Sequence, residues 1–287
     1  MKPSVAIIGV GLMGASLAAA LRAVDFASCI VGIDENPESL ALAVEQGWLD
    51  RGVAELGPHE ADIVVLATPV GAMPGLLARL QPLLSARAVI TDMGSVKGPV
   101  AQAAETLGLA RFVPGHPIAG AERSGPAAAS AALFVKRVVV LTPREGCDLE
   151  AVAVVRAMWE AAGAHVLIAE PGVHDRMVAY TSHLPHLLAF ACADLLAEEA
   201  EDHDLYPFVG AGLRDFLRIA GSDPVMWRDV CQANAALLGP ALAAYGERLA
   251  AYGRALAAGD FVSLQTQFAK ARDFRETLIR ETDRGEH

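Results

Sequence analysis

The chain has 287 residues, 53% of them hydrophobic and 20% charged, with a formal net charge of −11 at pH 7. This composition can supply a sizeable core and excludes disorder as a whole-chain state. The negative balance and the lack of a basic run argue against nucleic acid as the main partner, though a local arginine can still serve an anionic ligand. Cys29, Cys147, Cys192 and Cys231 are scattered, with no Cys-x-x-Cys pair and no zinc spacing, and so read as reduced thiols of a cytoplasmic protein. The N-terminal apolar run is too short for a secretory segment. The Ala-rich stretches near the C-terminus carry charges every few residues, so no membrane span is expected.

Ser4-Val5-Ala6-Ile7-Ile8 is a short apolar run of the kind a buried parallel strand needs. Gly9-Val10-Gly11-Leu12-Met13-Gly14 follows at once, and Ala15 to Arg22 has helix composition. Strand, G-x-G-x-x-G, helix is the dinucleotide fingerprint in its proper context. Gly9 permits the tight turn, Gly11 lets a pyrophosphate approach the backbone, and Gly14 lets helix and strand pack closely. A second strand, Cys29 to Ile33, ends in Asp34, 20 residues past Gly14, where a carboxylate can accept hydrogen bonds from an adenosine ribose. A 2′-phosphate there would meet a like charge with no adjacent Arg or Lys, so NAD is expected rather than NADP.

Further strands are expected at Asp62 to Pro69 and Ala88 to Asp92, with a helical segment from Val70 to Leu84 between them. Alternation of this kind implies an open parallel sheet, with ligands beyond the carboxyl ends of its strands. Thr68-Pro69, Gly94-Ser95 and Gly115-His116 all stand at strand ends and are expected to line one crevice. Arg111-Phe112-Val113 reads as a strand opening into the Gly- and Pro-rich loop that holds His116. Histidine is the side chain that titrates near neutral pH, and Pro117 biases this one toward extended backbone. Ser95 is a candidate partner for His116, or else the cap of a helix starting at Val96. Glu122, Arg123 and Ser124 add polar groups within reach of a bound anion. An ordinary surface turn is the plainer reading of the loop taken alone. Arg137 to Thr142 and Ala164 to Ile168 are expected to be the last strands of the sheet, with a helix at Leu149 to Ala162 between them. The cofactor domain is therefore expected to span residues 1–169, with a helical domain at 170–287.

In the helical part, Val173 to Glu201 reads as one long helix interrupted at Pro185. His183 and His186 share a face there, either as hydrogen-bonded half-buried histidines or as a metal pair lacking a third ligand. Gly221 is expected to end one helix, and Ser222 or Asp223 to cap the next, with Pro224 in its first turn. Arg218 is either the ion-pair partner of Asp215 one turn earlier or a fork for a carboxylate. Met226 to Ala258 and Phe261 to Arg284 are long amphipathic stretches. Their apolar positions exceed what one layer can bury, which points to a helical dimer interface.

These residues together resemble the prephenate/arogenate (cyclohexadienyl) dehydrogenases of tyrosine biosynthesis. The resemblance is carried by Gly9 to Gly14 with Asp34, Asp62 to Val70, Thr91 to Lys97, His116 to Gly125, Ser182 to His186, and Asp215 to Asp229. It implies a Rossmann-like N-terminal domain, an intertwined all-helical dimerisation domain, and NAD as cofactor. The implied activity is oxidative decarboxylation of prephenate or arogenate. The family's catalytic histidine falls on His116 and its hydrogen-bonding serine on Ser95. The implied substrate residues are Arg218, His186, Asp215 and Glu122. Leu12, Met13, Thr68 and Pro69 join the glycines and Asp34 at the cofactor. Ala121 replaces a hydroxyl side chain found in many of these proteins, which counts against hydroxyl-dependent tyrosine feedback. Neither a chorismate mutase half nor a regulatory domain is expected. Two other readings are a β-hydroxyacid dehydrogenase, whose lysine mechanism would have only Lys270 in the helical half, and a nicotinamide-sensing protein without turnover.

Overall fold

The computed structural model describes residues 1–120 and 125–285, which group into two compact units, Met1–Ala235 and Ala236–His287. In the first unit, β1 (Ser4–Ile8), β2 (Cys29–Ile33), β3 (Arg51–Val53), β4 (Ile63–Leu66), β5 (Val89–Asp92) and β6 (Phe112–Val113) form one parallel sheet in the order β3-β2-β1-β4-β5-β6. Helices α1 (Leu12–Ala23), α2 (Pro37–Glu45), α3 (Met73–Leu80) and α4 (Gly98–Thr106) lie between strands in the chain. Side chains alternate across a strand, so β1 feeds two cores. Val5 and Ile7 join Leu17 and Leu21 of α1. Ala6 and Ile8 join Leu77 of α3, Val100 of α4 and Phe112. Each buried Val, Leu, Ile or Phe among these contributes about 1.5–3 kcal/mol by leaving water. The strand order reverses between β1 and β4, the place where such sheets open a ligand crevice.

The expected last strands belong elsewhere. β8 (Val138–Leu141) and β9 (His165–Ile168) form a second sheet with β7 (Gly115–Pro117), in the order β7-β8-β9. β7 runs antiparallel to β8, with His116 opposite Val140, and β8 runs parallel to β9. The reason is local to Pro114. It offers no N–H to continue β6 along β5, and its carbonyl accepts instead from Thr142 N at 2.8 Å. The chain thus leaves one sheet and enters another within one residue, and His116 sits in a strand rather than a loop. Helix α5 (Leu149–Ala161) joins β8 to β9 as expected, with the Asp148 carboxylate accepting from the Glu150 and Ala151 amides.

Helices α6 (Pro171–Val178) and α7 (Leu184–Asp202) replace the expected single helix, with a π-helical turn at Ala179–His183 between them. Pro185 falls in the first turn of α7, where its missing N–H costs least, and the wider turn before it accommodates the ring. Helix α8 (Ala211–Leu217) leads into a tight 3-10 turn, Arg218–Gly221, and then α9 (Pro224–Ala233). Asp223 caps α9 by accepting from Met226 N at 2.7 Å. The expected helix from Met226 to Ala258 is in fact broken at Asn234, before α10 (Ala235–Ala258). In the second unit, α11 (Phe261–Gly285) follows, and Tyr252 meets Phe268 edge to face at 5.6 Å. Leu249, Leu256, Phe268, Phe274 and Leu278 of this unit are exposed. Among the described residues, no helix is long and apolar enough to cross a membrane.

Candidate active site

The glycine turn is shaped by its neighbours. Gly9 has φ +96°, and a Cβ there would lie 2.6 Å from the Ala67 carbonyl oxygen. A Cβ on Gly14 would lie 2.0 Å from the Gly9 carbonyl, so α1 can rest on the turn only with glycine at that point. At Gly11 an added Cβ would meet nothing within 4 Å among the described residues. Leu12 and Met13 open α1 with no side chain capping their amides, which leaves the positive end of a 12-residue helix for an anion. Thr68 follows β4, and its Oγ1 is buried with no hydrogen-bond partner among the described residues. Pro69 opens the short turn after it. Asp34 accepts from Val10 N at 2.7 Å and from Asn36 N at 2.8 Å. Each of its oxygens keeps a lone pair for a ribose hydroxyl. An open glycine, an uncapped helix and an orphaned hydroxyl together fit a dinucleotide.

A cluster of buried charges fixes the second half of the site. Lys97 is fully buried, and its ammonium donates to the Asp92 carboxylate and, at 2.7 Å, to the Gly115 carbonyl. Asp92 also accepts from Gly94 N at 2.9 Å and Gly115 N at 3.1 Å. Burial draws the Lys97 ammonium below the usual lysine value, against the opposing pull of Asp92. Breaking such a pair by removing one partner costs about 3–5 kcal/mol. Both backbone groups of Gly115 are thus tied to the end of β5, and His116 is aimed from there.

The His116 ring meets α6. Its Nδ1 lies 2.9 Å from His174 Nε2, and His174 Nδ1 lies 2.8 Å from Asp175 Oδ1. Asp175 also accepts from Lys97 N and Gly98 N, both at 2.7 Å, and so caps α4 from 77 and 78 residues away. Burial raises the Asp175 carboxyl, but the His174 hydrogen bond and the two amides outweigh it and hold the group below its ordinary value. Burial, then the Lys97 charge, then His174 and His183 push His116 well below the ordinary imidazole range. It is therefore neutral at pH 7. His183 is buried and lowered to about 4, mainly by burial. Asn234, at the break between α9 and α10, donates to the Asp175 carbonyl at 2.9 Å and lies 3.1 Å from His183 Nδ1.

His186 donates from Nδ1 to the Ser182 carbonyl at 2.8 Å and stacks on Trp227 with ring centroids 3.8 Å apart. Its remaining nitrogen is then an acceptor when the ring is neutral. Burial lowers it, and the nearby Arg218 charge lowers it further. The turn bearing Arg218 packs on α7, so Arg218 and His186 share a neighbourhood. Asp215 is exposed one turn earlier, on α8. Val70, Val96, Trp227 and Val230 pack together, with Phe190 against them, and fasten α7 and α9 to the turns after β4 and β5.

Among the described residues, no hydrogen bond joins Ser95 to His116, and Ser95 caps no helix. The imidazole is held by His174, and α4 begins at Gly98 under the cap from Asp175. Ala121, Glu122, Arg123 and Ser124 lie outside the described residues. The metal reading of His183 and His186 finds no third ligand, since no group of three metal-binding side chains occurs among the described residues. Sequence reasoning missed Lys97, Asp92, His174, Asp175 and Asn234. A usable signal existed for the first two: a lysine in an apolar stretch five residues after a strand-end aspartate must be paired if it is buried.

The family model for the prephenate dehydrogenase nucleotide-binding domain matches residues 17–168, and that for the prephenate dehydrogenase dimerization domain matches 170–270. The chain belongs to the prephenate dehydrogenase family. A prephenate dehydrogenase of Bacillus subtilis is 32% identical over 287 residues, covering 97% of this chain and 76% of that protein. The solved prephenate dehydrogenase of A. aeolicus, in complex with hydroxyphenyl propionate and NAD+, superposes with TM-score 0.90 at 35% identity, covering 97% of this chain and 98% of that one. Arogenate dehydrogenase of Synechocystis superposes with TM-score 0.81 at 30% identity, covering 96% and 99%. The nucleotide-binding match begins after Gly14, so within this family the glycine turn rests on its own geometry.

Proposed function

We propose that the protein is an NAD-dependent dehydrogenase that oxidatively decarboxylates prephenate to 4-hydroxyphenylpyruvate, with arogenate, giving tyrosine, as the substrate to compare. The observation that carries this reading is His116: a neutral imidazole held at one nitrogen, in β7 next to Gly115, whose amide and carbonyl are tied to Asp92 and Lys97, in a chain of this family. Gly9, Gly11, Leu12, Met13 and Gly14 are assigned to the pyrophosphate, Asp34 to the adenosine ribose, and Thr68, Pro69 and Ser95 to the nicotinamide side. Bound NAD would supply the hydride acceptor. As hydride leaves the ring carbinol carbon, His116 takes the hydroxyl proton on its Nε2. The electron pair of the breaking ring–carboxylate bond enters the ring, which becomes aromatic as carbon dioxide departs, and the phenolate oxygen so formed takes the proton back from His116. Arg218 grips a substrate carboxylate with its two-pronged guanidinium. His186, Asp215 and Glu122 complete the substrate contacts.

We assign the cofactor domain to residues 1–169 and the helical domain to 170–287. The latter is proposed to form a homodimer, since a dimerization-domain model matches it and apolar side chains stand exposed on α10 and α11. The protein is placed in the cytoplasm, where its four free cysteines stay reduced. With a net charge of −11, nucleic acid is not among its proposed partners. Mixing the purified protein with NAD and prephenate, and separately with arogenate, tests the reading: NADH absorbance must rise with at least one. Tight NAD binding with no NADH from either substrate would favour a nicotinamide-sensing protein instead.

A further inference from the structure

We infer that His174 and Asp175 form a relay that fixes the tautomer of His116, keeping the proton on Nδ1 and the lone pair of Nε2 toward substrate. The inference rests on the dehydrogenase reading for its consequence, but its geometry stands apart from it. Asp175 is a carboxylate, and a carboxylate can only accept. The 2.8 Å contact therefore puts a proton on His174 Nδ1. With that ring proton directed at Asp175, His174 turns its Nε2 to His116, and the 2.9 Å contact is accounted for by a hydrogen bond from His116 Nδ1–H. His116 is itself neutral, so its Nε2 carries no proton. The chain of donors has one direction, set at its far end by the Lys97 and Gly98 amides that pin Asp175. A base of the opposite tautomer would present N–H to the substrate hydroxyl and could not take its proton.

The relay also acts after proton transfer. His116 becomes an imidazolium beside the Lys97 ammonium, an unfavourable pairing in a buried site. Its Nδ1–H then donates to a His174 polarised by the Asp175 carboxylate, which offsets part of that repulsion. The charged and titratable groups around His116 are Lys97, His174 and His183, with Asp92 and Asp175 behind them. His174 is thus a positioning residue that acts through His116.

The first test needs no variant. In protein carrying 15N-labelled histidine, the His116 signals, assigned by their loss in His116→Asn, should show a protonated Nδ1 and a bare Nε2 at pH 7. The opposite tautomer overturns the relay whether or not the enzyme turns over prephenate. The second test compares two replacements in the full-length enzyme. Gln can accept from His116 and donate to Asp175, whereas Phe keeps the ring shape and does neither. His174→Phe should lower kcat by at least about tenfold while leaving KM and NAD affinity near the native values. His174→Gln should restore most of kcat. Equal kcat in the two variants, or a Phe variant with native kcat, overturns the relay. Failure of the native protein to turn over either substrate would instead reject the dehydrogenase reading.

Discussion

The Gly9–Gly14 turn and the His116 cluster are built by different means. In the turn, the working groups are backbone amides, and the contacts that shape it come from β1, β2 and the end of β4. In the cluster the working groups are side chains, drawn from residues 92–97, 115–116, 174–183 and 234. A backbone site needs only small residues at the right places. A side-chain site needs every buried polar group to find a partner, because an unpaired one costs about 1–3 kcal/mol or more. The turn should therefore tolerate change except where a Cβ collides, and the cluster should fail wherever a partner is removed.

The largest expected effect is at the cluster's reacting end. His116→Asn should lower kcat by roughly 10²- to 10⁴-fold with KM nearly unchanged, since proton transfer helps mainly in the transition state. Steady-state kinetics with prephenate would check this, and a rise in KM alone would make His116 a binding residue. Next comes a contrast inside the turn. Gly14→Ala drives a Cβ to 2.0 Å from the Gly9 carbonyl and should cost about 1–3 kcal/mol of stability by overpacking. Gly11→Ala meets no atom of the described residues within 4 Å, so it should leave the melting temperature near native and weaken NAD binding alone. Calorimetry read beside an NAD titration separates the two, and equal melting losses would mean that Gly11 is structural.

Arg218→Ala should raise KM about 10- to 100-fold, the loss of one charge-assisted contact, with a smaller change in kcat. Arg218→Lys should recover little of it, because a point charge does not replace the guanidinium fork. The smallest effect concerns stability against pH. His183 is lowered to about 4 in the folded chain, below its ordinary value of 6.5. Between those values the unfolded chain binds a proton that the folded chain does not, so stability rises with pH across that window and is level above it. The melting temperature should fall as pH drops from 6.5 toward 4, and His183→Gln should flatten that slope.

The contrast between turn and cluster also governs what could be read from the sequence. The strand at Ser4–Ile8, the glycine turn and Asp34 are legible because their meaning lies in local order and spacing. His116 is legible because Gly115 and Pro117 frame it after an apolar run. Its true partner is not, because His174 lies 58 residues away in a helix whose local pattern is unremarkable. Ser95, nearer in sequence, makes no such bond among the described residues. The second sheet is not legible for a related reason. The pattern of Val138–Leu141 says strand, but a strand's own residues do not say which sheet it joins, and that was decided by Pro114.

The central claim is that a neutral His116, lowered by burial and by Lys97, takes the substrate proton. The most direct test is the pH dependence of kcat/KM for prephenate in the native enzyme and in His116→Asn. The account predicts a one-proton acid limb in the native enzyme that lies below 6.5, the ordinary imidazole value, and that is missing from the variant. A limb at or above 6.5, or one that persists in His116→Asn, would assign the proton to another group and contradict the account.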